Sequence, residues 1–301
     1  MKLELARAIP REIRRAQSLY RRYGLIEVIA KAGKLPIVLG KSRWGYALYR
    51  DRYPYHLIFI AGLAKSGSTW LADMLADLPG FIRYQPAEWT ASLTTEPHQD
   101  FYPGMLSEVK RRLAIVKGHT PGNAENAAHL RHTATPYLVT VRDPRDQIIS
   151  GYWYLRNRPN HPAHGLALSL TLNEFLRHEL NPATAQIERG DWIRGWLEHR
   201  DAESSIVVRY EDVLADTKAE LAKVLTFLKF NVSTPKLDDI VARNSFKRKA
   251  GRDPGTEDTR SFYRKGIAGE WKELYSAEHK QLAELAFEDI IEALGYEPTE
   301  A

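Results

Sequence analysis

The sequence predicts an α/β domain with a central, mostly parallel sheet flanked by helices, and three observations carry that expectation. Short apolar runs rich in β-branched residues recur along the chain; segments of helical period separate them; and a glycine-containing loop joins the first run to the first such segment. His56-Leu-Ile-Phe-Ile-Ala61, Leu113-Ala-Ile-Val-Lys117, Tyr137-Leu-Val-Thr-Val141 and Ser205-Ile-Val-Val-Arg-Tyr210 are each too short for a stable helix. Unbroken apolar character over four to six residues is what a strand covered on both faces requires, and helix-linked strands pair in parallel.

Taken in order, residues 1–50 form a basic arm with twelve lysines and arginines against the three acids Glu4, Glu12 and Glu27. Ile9, Ile13, Ala16 and Tyr20 recur there at helical spacing between arginines, so the arm reads either as an amphipathic helix on anionic lipid or as a helix packed on the domain with a solvated basic face. Residues 51–301 form a single domain. Strand 56–61 is followed by a helix over 69–78, and further helical periods fall at about 145–156, 171–179, 183–200, 213–228 and 278–294. Residues 246–260 are polar, charged and turn-rich, and predict a mobile loop, or lid, over about 246–263 that orders over an anionic ligand; the plain alternative is a connector.

Composition narrows the chemistry. With 301 residues and 44% hydrophobic content the chain can fill a large core, and with no cysteine it has neither disulfides nor thiolate chemistry. The net charge of +5 favours an anionic partner. No stretch reaches the roughly 20 uninterrupted apolar residues of a spanning helix, and no apolar core of a secretory signal is present, so the expected location is cytoplasmic, with peripheral membrane contact through the arm as a further reading.

The first loop reads Gly62-Leu-Ala-Lys-Ser-Gly-Ser-Thr-Trp70. A strand-to-helix turn of this kind aims successive N–H groups and a helix N-terminus at one point, which suits a phosphate. A nucleotide-triphosphatase loop carries lysine directly after its second glycine; here Ser68 stands there and the lysine is Lys65, which argues against a P-loop kinase or NTPase. The string Lys-Ser-Gly-Ser-Thr-Trp instead resembles the 5'-phosphosulfate loop of sulfotransferases that use 3'-phosphoadenosine 5'-phosphosulfate (PAPS), with Ala64 where many members have proline. At the end of the strand 137–141, Arg142-Asp-Pro-Arg-Asp-Gln-Ile-Ile-Ser150 resembles the same family's 3'-phosphate segment, and Arg264-Lys-Gly-Ile-Ala-Gly-Glu-Trp-Lys272 its late R-K-G segment. The resemblance spans about residues 57–275.

What the resemblance implies is a single P-loop-like domain that moves a sulfuryl group from PAPS to a hydroxyl or amine by direct in-line displacement, releasing adenosine 3',5'-bisphosphate (PAP), with no metal. It implies that Lys65 contacts the oxygen bridging sulfur and phosphorus; that Ser66, Gly67, Ser68 and Thr69 hold the 5'-phosphate; and that Trp70 stacks on adenine. Arg142 and Ser150 would bind the 3'-phosphate, with Arg264, Lys265 and Gly266 on its other side. Ser150 would also restrain Lys65 before the acceptor arrives. Tyr210, in Val208-Arg-Tyr-Glu-Asp212, would contact adenine, and Ser245 and Phe246, in Asn244-Ser-Phe-Lys247, would border the nucleotide.

For the acceptor's proton, His119 in Ile115-Val-Lys-Gly-His-Thr-Pro121 matches the family's histidine base, and a neutral imidazole suits the task. Glu88, in Arg83-Tyr-Gln-Pro-Ala-Glu-Trp89, is the rival base, because glycan-modifying members often use a downstream glutamate. His129 with His132, and His161 with His164, are spaced three apart but lack a carboxylate partner, so no metal site is expected. No stacking or recognition-helix motif points to nucleic acid, although a non-enzymatic nucleotide- or nucleic-acid-binding module is the alternative of another class. The motifs serve the donor and leave the acceptor open among small molecules, lipids and carbohydrates. Loops 83–104 and 152–170, carrying Tyr84, Trp89, Phe101, Tyr102, Tyr152, Trp153 and Tyr154, are the expected acceptor walls. The C-terminal dimer segment of animal members is missing, so the oligomeric state is open.

Overall fold

The computed structural model describes residues 42–86, 100–102, 104–109, 111–181 and 187–299. Most of the basic arm (residues 1–41), Trp89 and the rival base Glu88 lie outside the described residues. Residues 42–49 are helical. The chain then alternates: β1 (Leu57–Gly62), α1 (Ser68–Ala76), β2 (Phe81–Tyr84), β3 (Leu113–Gly118), α2 (Ala124–His132), β4 (Tyr137–Val141), α3 (Pro144–Arg156), α4 (His164–Ser169), α5 (Leu172–Leu180), α6 (Ile187–His199) and β5 (Ser205–Arg209). Helices α7 (Tyr210–Ala215), α8 (Thr217–Phe227), α9 (Thr234–Asn244), α10 (Phe246–Ala250), α11 (Trp271–Leu274) and α12 (Ala277–Ala293) complete it.

The five strands form one sheet in the order β2-β3-β1-β4-β5, and every pairing is parallel. β4 is buried at all five positions and β1 at all but its first, as the unbroken apolar runs demand of central strands. The edge strand β2 is only four residues long and exposes Arg83, which pairs with Asp73 of α1 at 2.8 Å.

Alternate residues of the central strands feed two cores. Phe59, Ala61, Tyr137, Val139 and Val141 pack with Ile148 of α3, Trp196 of α6 and Phe287 of α12, whereas Ile58, Ile60 and Leu138 pack with Leu71 and Met74 of α1, Leu225 of α8 and Ile240 of α9. Trp196 is fully buried, and its indole N–H donates to the Thr120 carbonyl at 2.9 Å. Burying such a side chain with its polar atom satisfied contributes on the order of 2–3 kcal/mol.

Several elements differ from the sequence expectation. β2 occupies the start of what reads as an acceptor loop, since Phe-Ile-Arg-Tyr offers only four residues, of which Phe81 alone is buried. The helix expected over 213–228 is two: Asp216, at φ −143°, leaves the helical region and its side chain accepts from Ala219 N, capping α8. The expected lid begins with a helical turn, α10, because the Ser245 hydroxyl accepts from Arg248 N and Gly251 ends the turn at φ +71°. Its remainder is folded onto the domain by backbone bonds from Gly255 N to Lys265 O (2.8 Å) and from Asp258 N to Arg264 O (2.9 Å). Among the described residues no helix is long and apolar enough to cross a membrane.

Candidate active site

Four neighbouring strands end on one cleft. The strand order reverses at β1, whose neighbours are β3 and β4, and a crevice opens at the C-terminal edge of such a sheet. β3 leads to His119, β1 to the loop with Lys65, β4 to Arg142, and β5 to Tyr210. All four line the cleft, with Ser68, Thr69, Trp70, Lys117, Ser150, Phe246, Arg264, Lys265 and Gly266.

The β1–α1 loop owes its shape to two positive-φ residues, Lys65 (φ +70°) and Gly67 (φ +84°). Gly67 precedes α1 and a Cβ there would lie 2.8 Å from the Tyr210 ring, so it needs both glycine's torsion and its lack of a side chain. Gly67→Ala is therefore expected to cost about 1–3 kcal/mol of stability, read as a lowered midpoint of thermal unfolding. Ser66 turns inward: its hydroxyl donates to Leu63 O at 2.8 Å and lies 3.0 Å from Thr140 Oγ1, which in turn donates to Ala61 O. The Ser66 side chain thus pins the loop from beneath and does not line the cleft. Gln147 of α3 ties it from the other side, donating to Ala64 O at 2.7 Å.

Arg142 and Ser150 are both buried, on β4's end and on α3. α3 starts where Asp143 accepts from Arg145 N and Pro144 takes the first turn. Arg142 donates to Ile267 O (3.3 Å), sits 3.8 Å from Asp146, and stacks over the Tyr210 ring at 4.4 Å. Asp146 accepts from Trp271 N (3.0 Å) and Gly269 N (2.5 Å), so the two arginine segments, far apart in sequence, are joined through one carboxylate. Arg264 is held by Glu257 and Glu270, and Lys265 reaches Glu270 at 3.2 Å. The Nε atoms of Arg142 and Arg264 are nevertheless buried without a hydrogen-bond partner. Buried cationic N–H groups without acceptors call for an anion, and a phosphate is the acceptor whose geometry matches a guanidinium fork.

Lys65 is partly buried; its Nζ donates to Phe262 O at 3.3 Å and lies 4.2 Å from the Phe262 ring and 5.1 Å from that of Tyr154. Desolvation pushes its pKa down to about 7, assisted by Arg142, Arg158 and Arg264. His119 Nδ1 contacts the carbonyl of Gly62, which can only accept, so Nδ1 carries the proton and Nε2 is the acceptor nitrogen. Burial lowers the imidazole pKa to about 3, with Lys117 adding to the shift and the Gly62 bond opposing it.

On the nucleotide side, Trp70 donates to Asn244 O at 2.7 Å and meets Tyr210 edge-on with centroids 6.2 Å apart, leaving two aromatic surfaces at the cleft wall. Gly266 (φ +66°) lies against Phe246, where a Cβ would come within 2.4 Å of the ring. Ser245 is off the cleft; its hydroxyl donates to Ala242 O and caps α10. Of the aromatics expected to wall an acceptor, only Tyr154 lines the cleft among the described residues, while Tyr152, Trp153, Phe101 and Tyr102 pack into or against the core. Sequence reasoning missed Lys117, Lys249, Phe262 and Tyr263. Lys117 lies on β3 two residues before His119, which follows the strand's end, and both line the cleft, so period-two spacing was the signal that could have found it.

A parallel α/β sheet carrying an anion-binding loop after its first strand, with guanidinium groups converging from two distant segments, defines a P-loop-like protein built for a phosphorylated nucleotide. Residues 56–295 match the sulfotransferase domain model, and the chain belongs to that family. It is an enzyme, a sulfotransferase that draws its sulfuryl group from PAPS. Mouse sulfotransferase 2A6 is 25% identical over 80% of this chain and 85% of its own length, and guinea pig 3-alpha-hydroxysteroid sulfotransferase 24% over 78% and 82%. The fold is shared with mouse sulfotransferase SULT7A1 complexed with PAP (TM-score 0.61, 22% identity, 85% of this chain and 95% of that one). It is also shared with retinol dehydratase in complex with androsterone and PAP (TM-score 0.56, 19% identity, 82% and 85%).

Proposed function

We propose that this sulfotransferase sulfates a hydroxyl of a small-molecule acceptor by direct displacement, with His119 as base and Lys65 as the principal stabiliser of the leaving group. The observation that carries this reading is the convergence on one cleft of His119, in a tautomer that leaves Nε2 as acceptor, with Lys65 and two arginines whose buried Nε atoms lack partners. Nε2 accepts the hydroxyl proton as the oxygen attacks sulfur. The sulfur–oxygen bond to the 5'-phosphate breaks, and its electron pair leaves with PAP. The Gly62 carbonyl stabilises the imidazolium that forms, and Lys65 with the loop amides meets the charge developing on the departing phosphate.

In the same reading Arg142, Ser150, Arg264 and Lys265 hold the 3'-phosphate, with Gly266 giving it room. Ser68, Thr69 and the Gly67 backbone hold the 5'-phosphate, and Trp70, Tyr210 and Phe246 hold adenine. Ser66 and Ser245 serve by shaping the loop and capping α10. The segment over 246–263 acts as a lid, since its Phe262 covers Lys65. A small-molecule acceptor is favoured because relatives are named for hydroxysteroids and a structural neighbour holds androsterone, and because Tyr154, Phe262 and Tyr263 offer aromatic surfaces beside Lys65.

Calorimetric titration without metal tests the donor site. PAP is expected to bind at least about 100-fold more tightly than AMP, since AMP lacks the 3'-phosphate that can accept from the two buried arginine Nε groups left without partners. Equal affinity for the two, or a preference for ATP with Mg²⁺, overturns the assignment.

A further inference from the structure

The helical segment 42–49 exposes Trp44 at 72% and Leu48 at 62%, one turn apart on its outer face. Large apolar side chains on the described surface are otherwise mostly less exposed, and among the described residues these two have no packing role to explain them. The opposite face is packed. Ser42, Gly45, Tyr46 and Tyr49 turn inward: Arg112 donates to Ser42 Oγ at 3.2 Å, and a Cβ on Gly45 would stand 2.8 Å from Gly80 Cα, so the two backbones touch. The Tyr46 ring meets His56 edge-on at 5.3 Å. Arg43 is exposed next to Trp44, and Arg50 and Arg52 are exposed just past the helix, Arg50 lying 3.5 Å from Asp51 and 5.7 Å from the Tyr46 ring and Arg52 4.9 Å from the Tyr49 ring; the preceding sequence is the strongly basic arm.

We infer that this face docks on an anionic membrane surface, with Trp44 and Leu48 entering the headgroup region and the arginines meeting lipid phosphates. Exposed apolar side chains in a stretch of sequence with excess positive charge match an anionic bilayer in both respects: tryptophan favours the interface, and each cation near a negative leaflet adds attraction. The fold then sets the orientation. Gly80 and Arg112 directly precede β2 and β3, so the docking face lies at the N-terminal edge of the sheet, whereas the cleft opens at the C-terminal edge. A docked molecule keeps its cleft toward the aqueous phase, and takes its acceptor from there.

The test is co-sedimentation of the full chain with vesicles of phosphatidylcholine containing about one-third phosphatidylserine, and with phosphatidylcholine alone, comparing wild type with a Trp44→Ala/Leu48→Ala variant. Binding is expected on the anionic vesicles only, weakening with salt, and falling about tenfold or more in the double variant. Unchanged PAP affinity verifies the variant's fold, and Trp44→Phe is expected to retain most of the binding. Absence of wild-type binding, equal binding by the double variant (which would assign the contact to the arm's charge alone), or a vesicle-free dimer abolished by the double variant would each overturn the inference.

Discussion

His119→Ala is expected to lower turnover by about 10²–10⁴-fold while leaving PAP affinity nearly unchanged, the pattern of a group needed for the acceptor's proton and not for the donor. The geometry supports that expectation. The Gly62 carbonyl fixes the proton on Nδ1, and burial keeps the imidazole neutral by lowering its pKa to about 3. A lowered pKa means the base form persists as pH falls, so kcat/KM should not lose activity through a group titrating near the ordinary histidine value of about 6.5. An acid limb near that value that vanishes in His119→Ala would contradict the burial. His119→Gln, which can keep a hydrogen bond to Gly62 but cannot take a proton at this pH, should be as impaired as alanine. If Glu88→Ala shows the catalytic loss and His119→Ala does not, the base has been misassigned.

The parts of the fold that could be read from sequence are those in which local pattern and tertiary role coincide. β1 and β4 are central, so their apolar runs are uninterrupted, and the parallel order follows from the helices between them. β2 escaped because an edge strand of four residues with an exposed arginine carries little periodic signal. α2 escaped for a different reason: it has no row of large apolar side chains. Its buried positions are Asn126, Ala127 and Leu130, and the first of these is polar and satisfied by tertiary bonds to Asp100 and Pro121. The break at Asp216 is a side-chain capping choice, invisible to a window that reads only apolar periodicity.

The candidate site was legible where backbone chemistry and family motif agree, as at Gly67, Arg142 and Arg264. What sequence could not give was which polar groups face the ligand. Ser66 and Ser68 are two residues apart, yet one pins the loop to Thr140 from below while the other opens α1 and lines the cleft. Nor could it show Asp146 bonding two amides of the segment after Arg264, since 123 residues separate Asp146 from Gly269. Such long-range carboxylate bonds make two motifs into one site. They are properties of the folded chain.

Lys65→Ala is expected to cost about two or more orders of magnitude in transfer, the scale of removing a preorganised contact to developing charge. A proton measurement distinguishes this role from simple attraction. Burial, then Arg142, Arg158 and Arg264, lowers the lysine to about 7, so above neutral pH the ligand-free protein holds it largely uncharged. An anionic nucleotide beside it reverses the balance and draws the pKa back up. Binding PAP at about pH 8 should therefore take up a proton, seen as an apparent enthalpy that varies with the ionisation enthalpy of the buffer, and this uptake should largely disappear in Lys65→Ala. The same linkage makes PAP bind more weakly as pH rises above about 7 in wild type, with a shallower dependence in the variant. Near-normal turnover in Lys65→Ala would remove the lysine from the mechanism. Loss of turnover without proton uptake in wild type would keep it there, but as a cation charged throughout, with the desolvation offset before any ligand arrives.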